Sequence, residues 1–354
     1  LPAFCYSDKF RDSINPPLNL SYLISSLNQS KIESEVLDLF LDSIKKYGIK
    51  ENNKLVNSSL NNYPDKDFML FIKRKLLNKL NQDNYFMIAV NGDLFQQSFF
   101  VLREAKKFNP KIVTVAGGNL ATFHPGSFLD KEFVDHICLY ESESSIRDLC
   151  TAIINNEELS RVKGIFYKKD GSYIRTELPK LEEVSKIQPP DYSKFDMKSY
   201  LELNNKRLIA LTARGCRANC NFCGIAKISR KVRIRDPKEF IKEIIELNRK
   251  YEIKQFTFYN AMMNLTPKHI SEICNEIIDS GLKINWSCFI RADFFIDEDT
   301  LKLMKKAGCE LISFGIETGS KKVSEFCNKN IDLSFASKMI KNCKDKLSFC
   351  FSTK

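Results

Sequence analysis

The chain has 354 residues, 43% of them hydrophobic and 28% charged, with 12 cysteines and a formal net charge of +11. These fractions suit a globular protein with chain enough for two domains, and no apolar run is long enough to span a bilayer. The cysteines lack the spacing of a small secreted disulfide scaffold: three crowd together and the rest are dispersed, which points to a reducing, cytoplasmic setting.

The first 160 residues alternate short apolar runs with helical patterns. Leu20, Leu23, Ile24 and Leu27 follow Pro16-Pro17 at helical spacing, and Val36–Leu39 reads as a strand. A Lys/Asn-rich helix carries Met69, Ile72, Leu76, Leu77 and Leu80 as its buried stripe. Strands are predicted at 85–91, 111–116 and 136–140, with helices near 97–108 and 144–155. Such alternation implies a parallel sheet between helical layers, and in such sheets the ligand crevice lies beyond the carboxyl ends of the strands. Gly117-Gly118 and Glu141-Ser142-Glu143 stand at such ends.

The succession PPLNLSYLISSL, a strand ending at Asp38, AGGNLATFHP (116–125) and VDHICLYESES (134–144) resembles the cobalamin-binding domain attached to many radical S-adenosylmethionine enzymes. That resemblance implies a Rossmann-like domain in which Gly117, Gly118 and the loop holding Glu141 and Glu143 approach cobalamin. The family's Gly-Glu-Gly-Glu loop departs here, with Tyr140 and Ser142 in place of its glycines. Asn91-Gly92-Asp93-Leu94 replaces the Asp-x-His-x-x-Gly motif, so no axial histidine is expected from the protein. His124 is either a cofactor contact or an ordinary loop histidine.

Residues 161–203 read as a hairpin followed by a connecting segment with Pro179, Pro189 and Pro190. The second domain is expected over 204–354. Its first strand, 207–212, leads into Arg214-Gly215-Cys216-Arg217-Ala218-Asn219-Cys220-Asn221-Phe222-Cys223. The spacing C-x3-C-x2-C places three thiolates on one short loop, enough to hold three irons of a [4Fe–4S] cubane and leave the fourth open. A structural zinc site is the alternative, but it calls for four closed ligands, and His269 and Cys274 fall far along the chain on a helix. The basic run Lys227, Arg230, Lys231, Arg233 and Arg235 fits a solvated face, an RNA contact, or charge beside an anionic ligand. Cys138, Cys288, Cys309 and Cys350 lie in apolar runs and read as small buried hydrophobes.

Asp236-Pro237 and Thr266-Pro267 mark helix starts, and strands are predicted at 254–259, 284–291, 310–316 and 347–352. Repeated β/α units describe an α/β barrel with its site at the strand C-terminal ends. The motif loop, WSCFIRAD (286–293) and KKAGCELISFGIETGS (305–320) together resemble the radical S-adenosylmethionine superfamily. The resemblance implies cleavage of S-adenosylmethionine at the cluster and an electron donor such as flavodoxin or ferredoxin. It implies Phe222 near the adenine, Arg291 on the methionyl carboxylate and Glu317 at the ribose. Local salt bridges are the other reading of Arg291 and Glu317. Asn260, where relatives carry an acid, and Ser287 are further pocket candidates. With no starting Met and an end near the fifth strand, the chain reads as a fragment with a partial barrel. The expected outcome is cobalamin-dependent methyl transfer to an unactivated carbon or phosphorus centre of a small molecule. The alternatives are a cobalamin-free radical rearrangement or cyclisation, and a non-catalytic iron–sulfur or zinc protein that binds RNA.

Overall fold

The computed structural model describes residues 14–60, 65–93, 95–229, 231–294, 296–347 and 350–353. The chain up to Leu181, with Gln188–Asp196, forms one compact unit; Glu182–Ile187 and the chain from Met197 onward form a second.

The first unit begins with helices α1 (Leu18–Gln29), α2 (Leu39–Leu60) and α3 (Lys66–Leu80). A sheet follows, interleaved with helices: β1 (Met87–Asn91), α4 (Phe95–Phe108), β2 (Val113–Gly117), α5 (Asn119–Phe123), α6 (Gly126–Leu129), β3 (His136–Cys138) and α7 (Glu143–Ile154). β1, β2 and β3 are parallel neighbours. β2 reads Val-Thr-Val-Ala because both of its faces are covered, as parallel strands require. On one side it joins Cys138, Ile146, Leu149 and Cys150, and on the other Leu102, Phe128 and Ile137. Cys138 and Cys150 behave as apolar residues, burial pushing their thiols up to about 12 and about 11.

Two expectations change here. Residues 36–39 form no strand: 32–38 are irregular, and Leu37 and Leu39 line a cleft of about 280 Å³ whose opposite wall is β1. With the cleft intervening, no ladder with β1 forms. The hairpin β4 (Ile165–Lys169) and β5 (Ser172–Arg175), expected in a connecting segment, instead completes the first sheet, with β4 antiparallel to β3. Ile165 and Tyr167 alternate with exposed or half-exposed neighbours, and their buried face is what draws the hairpin onto the sheet.

The second unit starts with α8 (Met197–Leu203) and β6 (Arg207–Ala210). The short β7 (Ala213–Arg214) and β8 (Arg233–Ile234) flank α9 (Gly224–Ile228). Regular β/α units then follow: α10 (Pro237–Tyr251), β9 (Gln255–Phe258), α11 (Pro267–Asp279), β10 (Asn285–Ile290), α12 (Glu298–Lys306), β11 (Cys309–Phe314), α13 (Lys321–Phe326), α14 (Leu333–Leu347) and β12 (Cys350–Thr353). The five long strands are parallel in the order β12-β11-β10-β9-β6. This is part of an α/β barrel.

Both proline-marked helix starts form as expected. Asp236 accepts from the N–H groups of Lys238 and Glu239, Thr266 accepts from that of His269, and each Pro fills the next position. Alternate strand residues face the helices. There Trp286 stacks on Phe258 at 5.0 Å and donates from Nε1 to the Ala307 carbonyl, while Phe258 meets Phe240 edge-on. Such aromatics, almost wholly buried, each contribute roughly 2–3 kcal/mol. The other face of the strands is half-exposed and carries Thr257 and Ser287, whose hydroxyls are 3.1 Å apart. Cys288 and Cys309 are buried as expected; the side chain of Cys350 lies outside the description. Among the described residues no helix is long and apolar enough to cross a membrane.

Candidate active site

The cysteine loop is closed at its base before any metal chemistry enters. β7 and β8 pair antiparallel, so residues 215–232 leave and return side by side. Gly215 makes this closure possible: its φ is +87°, and a Cβ there would fall 2.3 Å from the Lys231 carbonyl oxygen. Asn260, which follows β9, reinforces the base. Its Oδ1 accepts from the N–H groups of Thr212 (2.9 Å) and Ala213 (3.2 Å), and its Nδ2 donates to Thr212 Oγ1. His269 Nε2 lies 2.9 Å from the same hydroxyl. Burial drives the His269 pKa down to about 4, so its ring is neutral. Asn260 is therefore engaged with the backbone beneath the loop. Ser287 sits lower, midway along β10.

The far side of the loop is tied down by the segment after β11. Asn221 donates through its backbone N–H to the Cys327 carbonyl and through Nδ2 to that of Phe326, both at 2.9 Å. Asn328 Nδ2 donates to the Asn219 carbonyl at 2.8 Å. Cys216 and Cys220 are buried at 7% and 6% exposure and Cys223 is half-buried. Two N–H donors point at sulfur: Ala218 N at Cys216 (3.4 Å) and Arg291 Nη1 at Cys220 (3.3 Å). Burial raises the Cys216 pKa; the Ala218 N–H and Arg291 pull it down, while the nearby Cys223 and Cys220 push it up. The three thiols thus share one electrostatic environment. They are not drawn to metal-ligand spacing, and among the described residues no group of three His, Cys, Asp or Glu side chains is. The donor set nonetheless fits a cluster: three soft ligands on one closed loop, with N–H donors on two of the sulfurs.

Around the loop stand the other expected residues. Phe222 is 55% exposed, and Lys329 Nζ lies 5.9 Å from its ring centroid. Glu317, at a φ of +67°, pairs with Lys329 at 3.3 Å. Arg291 faces Asp293 rather than open space: Nε is 2.9 Å from Asp293 Oδ1 and Nη2 is 2.8 Å from Oδ2. Asp293, Lys329, Asn219, Asn221, Asn328, Thr212 and His269 were not singled out from sequence as parts of the site. The signals present were weak: an acid two residues beyond Arg291, and asparagines clustered at 328–330.

The basic run is not one surface. Arg233 is buried and donates to the Glu182 carbonyl, and Arg235 is buried against Glu243 at 2.7 Å. Lys227 and Lys231 are exposed, and Arg230 lies outside the described residues. A guanidinium used internally cannot contact phosphate, so the solvated-face and RNA readings both lose two of their five charges. A cavity of about 760 Å³ in this unit, lined by Lys254, Asn285 and Gly308 among others, opens at the N-terminal ends of the strands, opposite the cysteine loop.

In the first unit, Asn91–Asp93, Gly117-Gly118 and Tyr140–Glu143 lie at or just after the C-terminal ends of β1, β2 and β3, and hydrogen bonds link these turns to one another and to α5. Gly92 N donates to the Gly117 carbonyl at 2.7 Å, Leu120 N to Asp93 Oδ1 at 3.0 Å, and Tyr140 N to Thr122 Oγ1 at 2.9 Å. Gly118 has a φ of +94° and a ψ of −174°, a conformation essentially restricted to glycine. Tyr140 keeps a φ of +57°, the left-handed geometry a glycine would favour. Ser142 precedes α7 at a φ of −110° and needs no such freedom. Glu141 is half-buried, Glu143 opens α7, and His124 is exposed at the end of α5. The half-buried turns after β2 and β3 suit a large flat ligand approached by main chain.

Residues 211–353 match the Radical SAM superfamily. An uncharacterized methyltransferase of Pyrococcus horikoshii is 29% identical over 261 residues, covering 73% of this chain and 56% of that protein. The anaerobic magnesium-protoporphyrin IX monomethyl ester cyclase of Rubrivivax gelatinosus is 31% identical over 253 residues, covering 69% and 45%. The chain thus spans about half the length of these relatives. In fold it is similar to the radical S-adenosylmethionine methyltransferase TsrM of Kitasatospora setae, with a TM-score of 0.75 at 15% identity over 95% of this chain and 64% of that one. That fold includes both the sheet of the first unit and the partial barrel. The closed three-cysteine loop, the barrel strand that feeds it and the match over 211–353 agree: residues 211–353 form a domain of the radical S-adenosylmethionine superfamily.

Proposed function

We propose that the chain is the cofactor-bearing part of a radical enzyme that cleaves S-adenosylmethionine and, with cobalamin, transfers a methyl group to a small molecule. The observation that carries this is the 215–232 loop, closed by β7–β8 and strapped by Asn221 and Asn328 at the strand ends of a partial barrel. When bound, a [4Fe–4S] cluster supplies the electron that splits S-adenosylmethionine into methionine and a 5′-deoxyadenosyl radical, and cobalamin supplies methyl-group chemistry.

The chain's own residues bind and position. Cys216, Cys220 and Cys223 supply thiolates, and the burial of Cys216 and Cys220 limits access of water. The exposed Phe222 ring offers a stacking face for adenine, and the Glu317 carboxylate can accept from ribose hydroxyls. Ser287 and Thr257 line the inner strand face as polar contacts. In the first unit Gly117, Gly118 and the Tyr140–Glu143 turn let main chain approach a corrin, with His124 and Asn91 at its margin. The likeness to TsrM, whose structure has been solved with cobalamin and a [4Fe–4S] cluster bound, supports this reading. A flavodoxin or ferredoxin in a reducing cytoplasm would deliver the electron.

A second reading, ring formation without methyl transfer, draws on the Rubrivivax cyclase. One assay separates the two. The chain is reconstituted anaerobically with iron and sulfide and given dithionite and S-adenosylmethionine, with and without cobalamin. We expect 5′-deoxyadenosine that disappears in the Cys216→Ala, Cys220→Ala, Cys223→Ala variant, together with S-adenosylhomocysteine that requires cobalamin. Deoxyadenosine alone, with cobalamin present and methyl acceptors supplied, would favour the second reading. A reconstituted cluster with neither product would reject both.

A further inference from the structure

The Cys220 sulfur has a cationic donor of its own. Arg291 Nη1 lies 3.3 Å from Cys220 Sγ, and the Arg291 side chain is only 11% exposed. Nε reaches both Asp293 oxygens at 2.9 and 3.1 Å, and Nη2 donates to Asp293 Oδ2 at 2.8 Å and to the Lys329 carbonyl. A guanidinium grips a carboxylate through a pair of parallel N–H groups. The Nε/Nη2 pair grips Asp293, and the Nη1 end faces sulfur. Asp293 thus fixes the plane of the guanidinium, while the Lys329 carbonyl anchors it to the segment that straps the cysteine loop. An arginine held this way is poorly placed to grip a second carboxylate.

We propose that Arg291, oriented by Asp293, is a positioning residue for the cluster: it hydrogen-bonds the Cys220 thiolate and raises the cluster's reduction potential, and the methionyl carboxylate of S-adenosylmethionine is held by other groups. This rests on reading 215–232 as a cluster loop. An N–H aimed at a ligating sulfur draws charge from the metal, favours the reduced state and raises the potential. The side chain therefore acts on electron acceptance through Cys220.

The test needs no turnover. The 354-residue chain and its Arg291→Met and Asp293→Asn variants are reconstituted anaerobically. Iron and sulfide are quantified, and the midpoint potential is read by EPR-monitored titration without S-adenosylmethionine. Equilibrium dialysis then compares S-adenosylmethionine with its decarboxylated analogue. The expected result is a lower potential in Arg291→Met and a smaller shift of the same sign in Asp293→Asn. The preference for S-adenosylmethionine over the analogue should stay within twofold of wild type in both. Unchanged potentials would overturn the proposal. So would a preference that collapses in Arg291→Met, since the carboxylate would then belong to Arg291. If Arg291→Met retains no cluster, Asp293→Asn decides by the same criteria. A wild-type chain that assembles no cluster sinks the underlying reading, and this inference with it; a wild-type cluster whose potential ignores both substitutions sinks this inference alone.

Discussion

At the ends of β1, β2 and β3 the surface offered to a ligand is made by backbone: Gly117 and Gly118 on one turn, Tyr140 in a left-handed conformation on the next, with Asp93 and Thr122 pinning both from behind. At the ends of β6, β9, β10 and β11 it is made by side chains: three thiols, the Arg291–Asp293 and Lys329–Glu317 pairs, and amides that hold the loop beneath them. The difference matches what each region is proposed to hold. A broad, nearly neutral ring system needs room and main-chain contact. A charged cluster with a small charged ligand needs donors of defined sign.

Gly118→Ala tests the backbone side most severely. The substitution forces a φ of +94° on a residue with a Cβ 2.3 Å from Asn91 Oδ1. Strain and overlap together should cost about 4 kcal/mol, read as loss of first-unit stability in urea, with cobalamin affinity falling at least tenfold. An Ala variant that binds cobalamin as wild type does would show that the turn is not a cradle.

Asn260→Ala tests the side-chain half. It leaves the Thr212 and Ala213 N–H groups buried without their acceptor, a loss of about 3 kcal/mol. Iron retention after reconstitution should fall with it, because the base of the cysteine loop is what loosens. Full iron loading in a destabilised variant would separate the loop from its base.

His269 gives a smaller, pH-dependent effect. Burial keeps it neutral down to about pH 4, whereas in the unfolded chain it takes up a proton near 6.5. Below 6.5 the unfolded state therefore binds more protons, and stability falls as the pH drops toward 4, by about 2 kcal/mol at pH 5. Urea unfolding between pH 7 and 4.5 should show this slope in wild type and lose it in His269→Gln. An identical slope in both would place the acid sensitivity elsewhere.

The smallest effect is expected at Tyr140. Tyr140→Gly relieves the left-handed backbone but gives up packing against the core beneath β3, so stability should move by no more than about 1 kcal/mol. Cobalamin affinity should hold or rise. Tyr140→Val, whose branched Cβ resists positive φ, should lose both. Equal behaviour of the two variants would mean that the φ of +57° has no bearing on the ligand.

The same contrast explains what was legible in the sequence. The cysteine spacing, the Asp-Pro and Thr-Pro helix starts and the strand alternation of the second unit are local patterns, and each appears where the chain spells it. Residues 36–39 carry a strand-like composition, but a strand exists only if a neighbour pairs with it, and β1 lies across a cleft. The hairpin at 165–175 was visible as a hairpin; that its buried face completes the first sheet depends on β3, nearly thirty residues away. Arg233 and Arg235 looked like surface charge because nothing in their own segment announces Glu182 and Glu243 as partners. Tyr140 is the most instructive case. The sequence showed a departure from the family's glycine loop, and the structure shows that Tyr140 keeps the left-handed geometry that a glycine would favour.

The hydrogen bonds from Asn221 and Asn328 that strap the cysteine loop join residues 105 and 109 positions apart. A ribosome releases the chain from its N terminus, so Cys223 emerges about a hundred residues ahead of the strap. At about 5–20 residues per second this leaves an interval of roughly 5–20 s in which all three thiols exist without the fold that shelters them. Delivery of iron and sulfide to a strapped loop is therefore an event that follows synthesis of this stretch, and a nascent chain meets whatever oxidants and stray metals surround it before the loop is closed.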